Sequence, residues 1–371
     1  MRFKQLSLLV VGLLIAVLLA SCGNSTNTTA AQPVATTASV AGATTASVAG
    51  ATTASAAGAT TASAAGATTA AGQAGAAAAT GSQPYIPIIS KGFQHQFWQA
   101  VKAGAEKGAK DFNARITFEG PETETQVDKQ IEMLQAALDK KPQAICLAAL
   151  DSKAVAPLLQ KAKAANIPVI GFDSGVDSDI PVTTVATDNL AAAALAADKM
   201  AALMGDKGEV ALVVHDQTSR TGIDRRDGFL NQMKSKHPNI TIVDTQYGGG
   251  DQLKSTDLTK AIIQSHPNVK GIFGANEGSI IGVLNGVKEL KKEGQIFVIG
   301  YDSGKQQIDA IKAGTESGAV TQDPIGIGYK CVESAVKALK GETLPKSIDT
   351  GFHWYDKTNV EAADIKPLLY Q

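Results

Sequence analysis

Between Gln5 and Ser90 the chain carries no charged residue at all. Within that stretch, residues 23–82 also lack aromatics and have no large aliphatic beyond Val34, Val40 and Val48. Such a segment buries too little apolar surface to offset the entropy of ordering it, so it cannot form a core. Cysteine is scarce as well: Cys22, Cys146 and Cys331 are the only three. That excludes a disulfide-dense scaffold and any cysteine-rich metal cluster. Charge of one sign is missing too. With 34 Lys and Arg against 35 Asp and Glu, the net charge of −1 gives no footprint for nucleic acid. There is no His-Glu-x-x-His, Gly-x-Ser-x-Gly or phosphate-binding loop, so the familiar hydrolase and nucleotide signatures are excluded.

What is present begins at the first residues. Arg2 and Lys4 precede an apolar run of 15 residues, Leu6 to Ala20, that ends in Leu19-Ala20-Ser21-Cys22. A bilayer-spanning helix needs about 20 apolar residues, so this run reads as a secretory signal, residues 1–22. Leu-Ala-Ser-Cys is similar to a bacterial lipobox, which makes Cys22 the expected lipidation site and anchors the chain to a membrane face. From Ala35, Ala43, Ala51 and Ala59 runs an eight-residue unit, Ala-Thr-Thr-Ala-Ser-(Val/Ala)-Ala-Gly, which decays after Ala67. Solenoid repeats have longer periods and an apolar face. Residues 23–82 are therefore a tether between anchor and folded part.

From Gln83 onward the pattern alternates. Apolar strand candidates at Tyr85–Ser90, Ala144–Leu150, Ile167–Asp173, Val210–His215, Ile240–Val243, Val269–Gly274 and Ile296–Tyr301 are separated by segments of helical period. Phe97, Trp98, Val101, Ala105, Ala109 and Phe112, for example, fall on one helix face. Wholly apolar strands alternating with helices predict an α/β protein, with doubly wound parallel sheets covered on both faces. A folded part of this length suits two lobes. Cys146 lies within a strand candidate and Cys331 on a helical segment, so both are expected as small buried apolar residues rather than a disulfide.

In open parallel sheets, ligands sit beyond the carboxyl ends of the strands. The polar residues found there form a coherent set. His95, Phe97 and Trp98 follow the first strand, and Asp173 follows Val169-Ile170-Gly171-Phe172. Asn276, Asp302 and Gln322 end later apolar runs, and Arg225 opens a helix in the second half. Taken singly, such an Asp or Asn is often a helix cap or turn residue. Together they bring carboxylates, a guanidinium, amides, an imidazole and aromatic rings. A carbohydrate requires that mixture: its hydroxyls both donate and accept, and its C–H faces pack on rings.

The ordered signposts carry a resemblance. Phe97-Trp98, Gly171-Phe172-Asp173, Thr187-Asp188-Asn189, Arg225-x-x-Gly228-Phe229, Asn276, Gly300-Tyr301-Asp302 and Gln322-Asp323-Pro324 resemble the ribose/galactose-type (type I) periplasmic sugar-binding proteins of ATP-driven (ABC) importers. The resemblance implies that Asp173, Arg225, Asn276, Asp302 and Gln322 hydrogen-bond a monosaccharide, that Phe97 and Trp98 pack against it, and that His95 adds a polar contact. It also implies two lobes joined by three crossovers, expected near Thr187-Asp188, Gln322-Asp323 and His353-Trp354. The lobes would be 83–187 plus 323–353, and 188–322 plus 354–371. A monomer that closes about this hinge and presents its sugar to a membrane permease is the implied function.

Two departures bear on the sugar. Members that bind ribose carry Arg after the first lobe's Asp, where this chain has Ser174. They carry a second-lobe aromatic where this chain has Gly248-Gly249-Gly250, with Tyr247 the nearest ring. A roomier site is expected, favouring an aldohexose such as glucose or galactose, with a pentose such as ribose next. Asp173 and Asp302 offer a carboxylate pair like a glycosidase's but no activated water. Asp173, Asp177 and Asp179 lack the glycine and closing Glu of a calcium loop. A repressor with a similar core would need a DNA-binding header in place of an export signal. Presentation of the sugar, or of an autoinducer, to a chemoreceptor or sensor kinase stays open beside transport.

Overall fold

The computed structural model describes residues 83–370. The export segment 1–22 with Cys22, the repeat tract 23–82 and Gln371 lie outside the described residues.

Twelve strands divide between two six-stranded sheets among the described residues. The first sheet holds β1 (Tyr85–Ile89), β2 (Arg115–Glu119), β3 (Ile145–Leu147), β4 (Val169–Phe172), β5 (Thr183–Ala186) and β11 (Ser347–Asp349). Its order is β11-β5-β4-β3-β1-β2, parallel throughout. The second holds β6 (Gly208–Val214), β7 (Ile240–Tyr247), β8 (Val269–Gly274), β9 (Phe297–Tyr301), β10 (Gly318–Gln322) and β12 (Phe352–Tyr355). Its order is β12-β10-β9-β8-β6-β7, parallel except that β12 runs against β10. The helices are α1 (Gln96–Asp111), α2 (Val127–Asp139), α3 (Ala156–Ala164), α4 (Asn189–Met204), α5 (Arg220–Lys236), α6 (Gln252–Ser265), α7 (Glu277–Glu289), α8 (Lys305–Ala313) and α9 (Pro324–Leu339).

The two-residue period of the strands explains why each sheet needs cover on both sides. In the first lobe, Ile86, Ile88 and Cys146 face α1 and α9 through Trp98, Val101, Ile327 and Val332. Their neighbours Ile89, Ile145 and Leu147 face the opposite core of Leu134, Leu138 and Leu159. The second lobe repeats this arrangement: Val210, Leu212 and Val214 meet α4 and α5, while Ala211 and Val213 meet α6 and α7. Where α1 crosses α9, a Cβ on Gly104 would lie 2.0 Å from the Ile325 carbonyl, and one on Gly328 would lie 2.0 Å from that of Val101. Only glycine permits that approach.

The chain crosses between sheets three times. β5 leads into α4, β10 into α9, and β11 into β12. The third crossing falls at Thr350 and Gly351, not at His353-Trp354, because the pairing of Gln322 with Phe352 and of Thr321 with His353 already belongs to the second sheet. Tyr370 departs from the expected division as well, since its ring enters the first lobe's core with its centroid 6.2 Å from that of Phe97.

Cys146 and Cys331 are buried, as expected, but they form a disulfide, with Cα atoms 6.4 Å apart. They lie 185 residues apart in sequence, and only the return of the chain at the second crossing lays α9 over β3. Separation in sequence hid a proximity created by topology.

Candidate functional site

The site is assembled from strand ends and helix starts. Asp173 and Asp302 are the residues immediately after β4 and β9, one in each lobe. Both adopt positive φ, 55° and 82°. Both amides donate to the neighbouring strand of their own sheet, Asp173 to Val185 and Asp302 to Val320, each at 2.8 Å. Backbone held in that sparsely populated region is a cost met by surrounding structure, and it clusters at binding sites.

All eight residues expected from sequence line one cavity: His95, Phe97, Trp98, Asp173, Arg225, Asn276, Asp302 and Gln322. Lys91, Glu124, His215 and Thr221 complete its wall. No lining residue is more than 7% exposed, so the lobes are shut upon it. Its free volume is about 20 Å³, room for roughly one water molecule. A ring-sized ligand would fit there only with the lobes parted. A larger open cleft of about 390 Å³ lies beside the crossovers, lined by Asp188, Arg220, Asp224 and Asp349, and shares Asp173 with the closed cavity.

Each group is held differently. Arg225 donates Nε–H to Asn189 Oδ1 at 2.7 Å and Nη1–H to the Ala275 carbonyl at 3.0 Å. Its guanidinium lies 3.7 Å from the Tyr301 ring centre and 4.0 Å from Asp302. Asp302 accepts from Gln322 Nε2 at 2.6 Å and from the Glu277 amide at 2.8 Å. Asn276 uses Oδ1 to cap α7 through the Ser279 amide at 2.9 Å and turns Nδ2 toward Glu124 at 3.4 Å. Trp98 donates its indole N–H to Glu124 at 2.7 Å, with its ring edge-on to Phe97. Phe97 and Trp98 thus serve the core and the cavity at once.

Among the described residues the Asp173 carboxylate has no hydrogen-bond donor; burial pushes it up to about 6, against the pull of Lys91 and Arg225. Gln322 Oε1, His95 Nδ1 and His215 Nδ1 are likewise buried without a partner. Burial alone would also raise Glu124, but Lys91, His95 and the Trp98 N–H hold it at about 2. His215 is driven down to about 3 by burial and by Lys91, which keeps its ring neutral. The cavity therefore holds unsatisfied acceptors beside a fixed guanidinium, which suits a ligand that both donates and accepts.

Lys91, Glu124, His215 and Thr221 escaped the sequence reasoning, although a signal existed for two of them. Lys91 follows β1 by two residues and His215 follows β6 directly, the same strand-end position that singled out Asp173. Lys91 reaches across to Thr221 at 3.1 Å and Ser219 at 3.4 Å, and lies 3.8 Å from both Glu124 and Asp216. Glu124 comes from a loop and left no such mark. The three glycines do not enlarge the site. A Cβ on Gly250 would stand 3.2 Å from Asn276, Glu124 and His95, so those side chains already fill the space. Ser174 is buried but does not line the cavity, and neither does Tyr247.

The two facing sheets, three crossovers and a closed polar cavity at the strand ends define a two-lobed binding protein. Residues 86–343 match the family described as periplasmic binding protein domain, and the chain belongs to that family. A D-ribose/D-allose-binding protein of Pseudomonas aeruginosa is 27% identical over 278 residues, 72% of this chain and 85% of that one. Two solved solute-binding proteins of ABC transporters from Agrobacterium vitis, one bound with α-D-tagatopyranose and one with D-fucose, are each 33% identical with a TM-score of 0.75. They cover 78% and 77% of this chain and the whole of their own. No helix among the described residues is long and apolar enough to cross a membrane.

Proposed function

We propose that the chain is the sugar receptor of an ABC importer, held outside the cytoplasm by lipid on Cys22 and by the tether 23–82. The observation that carries this reading is the sealed cavity, in which Asp173 and Gln322 Oε1 lack donors beside Arg225 and Asp302. Sugar hydroxyls donate to Asp173 and Gln322 and accept from the guanidinium, while Phe97 and Trp98 meet the C–H face. Leaving such buried groups unpaired costs about 1–3 kcal/mol each, which is how the site refuses molecules without matching hydroxyls. The ligand is a neutral monosaccharide, with an aldohexose ahead of a pentose; the relatives are named for hexoses (D-allose, D-fucose) and for pentoses (D-ribose, D-arabinose) alike. The protein works as a monomer. It binds sugar on one open lobe, gains the other lobe's contacts on closing, and offers the closed surface to the permease. It binds its sugar and performs no chemistry on it.

The test is a thermal-shift screen of the full chain against D-allose, D-ribose, D-tagatose, D-fucose, D-glucose and D-galactose. A ligand that binds only the folded state raises the melting temperature. At least one sugar is expected to do so, and a flat response to all of them would remove the sugar reading.

A further inference from the structure

The start of α1 has no cap of its own, because the side chain of His95, which precedes it, makes no capping bond. The amides of Gln96 and Phe97 donate instead to the carboxylate of Glu277, at 2.9 and 3.0 Å. Glu277 is the first residue of α7, in the other lobe. The arrangement is reciprocal. Gln96 Oε1 accepts from the Lys305 amide at 2.7 Å, at the start of α8, whose own capping position is Gly304. Two helix starts are thus capped from across the cleft, and helix amides left without partners are costly. A negative charge at the start of α1 is also favoured by the helix dipole. Any parting of the sheets breaks both caps together.

Glu277 is buried and does not line the cavity, yet its amide holds Asp302 at 2.8 Å. Gly304 leaves room for the pair: a Cβ there would come within 2.9 Å of Gln96 Oε1 and 3.1 Å of the Glu277 carboxyl carbon. We infer that Glu277 and Gln96 form a reciprocal helix-capping latch between the lobes, which sets the population of the closed form and hence the affinity for every sugar by one common factor. This rests on reading the cavity as a sugar site. Apparent affinity scales with the population of the binding-competent form, so a positioning residue of this kind changes strength without changing preference.

The test uses the full chain with Glu277→Ala and, separately, Gly304→Ala. The second keeps φ at an ordinary −66° and only wedges the latch. Titration calorimetry over the same sugars is paired with hydrogen exchange across the peptide holding Gln96 and Phe97. Each variant is expected to raise every sugar's Kd by the same factor, about tenfold, and to speed exchange at the first turn of α1. Unchanged affinity and exchange in both variants would overturn the latch. So would factors that differ between sugars, since these would mean direct contact with the ligand. If no sugar binds the unaltered chain, the receptor reading falls, and the exchange comparison alone decides the latch.

Discussion

The two lobes place an aspartate in the same way and then use it differently. Asp173 and Asp302 each follow a central strand, take positive φ and donate an amide to the neighbouring strand at 2.8 Å. Asp302 is then fully engaged, with Gln322 and Glu277 donating to it and Arg225 beside it. Asp173 is left without a donor and its carboxyl is pushed up to about 6. A shared backbone frame thus yields one carboxylate that organises its lobe and one left without a hydrogen-bond donor. The lobes differ in bracing as well, since the disulfide lies in the first lobe alone among the described residues.

Removing that brace should have the largest effect. Replacing Cys146 and Cys331 together with Ala is expected to cost about 4 kcal/mol of stability, because the link closes a very long loop. Thermal denaturation should show a clearly lower melting temperature with sugar affinity unchanged. A variant as stable as the parent would remove the asymmetry in bracing.

Asp302→Ala comes next. It strands the Gln322 amide and removes the carboxylate 4.0 Å from Arg225, so sugar affinity should fall about a hundredfold in calorimetry while the fold persists. A loss of only a few-fold would place the organising centre of the second lobe elsewhere.

Asp173→Asn should have the smallest effect and the most specific. Because the folded value of Asp173 is raised from 3.8 to about 6, its protonation favours the folded state at low pH, and that contribution is lost as pH rises through about 6. Sugar hydroxyls donating to the ionised form pull the value back down. Affinity should therefore weaken as pH falls through about 6, and Asp173→Asn should flatten this dependence while costing about tenfold at neutral pH. A pH profile identical in parent and variant would show that the two carboxylates do not differ as described.

Much of this was legible in the sequence because the relevant signals are local. Uninterrupted apolar runs mark the buried strands, and the polar residues beyond them, together with Arg225 on a helix, line one chamber. What stayed hidden depends on distant partners. The disulfide needs α9 to return over β3, and the third crossing is fixed by pairing of β12 with β10. Glu124 reaches the site from a loop through Trp98 and Lys91, neither close to it in sequence. The glycines at 248–250 suggest space by composition, but the space beside Gly248 is taken by Ser255, that beside Gly249 by Thr125 and that beside Gly250 by His95, Asn276 and Glu124.

On the proposed function, one sugar is held between the lobes, by Asp173 of the first and by Gln322 and Arg225 of the second. A crystal structure of the full chain with a sugar that raises its melting temperature tests this most directly. The ring is expected in the closed cavity, with hydroxyls donating to Asp173 of the first lobe and to Gln322 of the second, accepting from Arg225, and the lobes shut around it. A sugar lodged instead in the open cleft beside Arg220 and Asp224, or touching only one lobe, would contradict it.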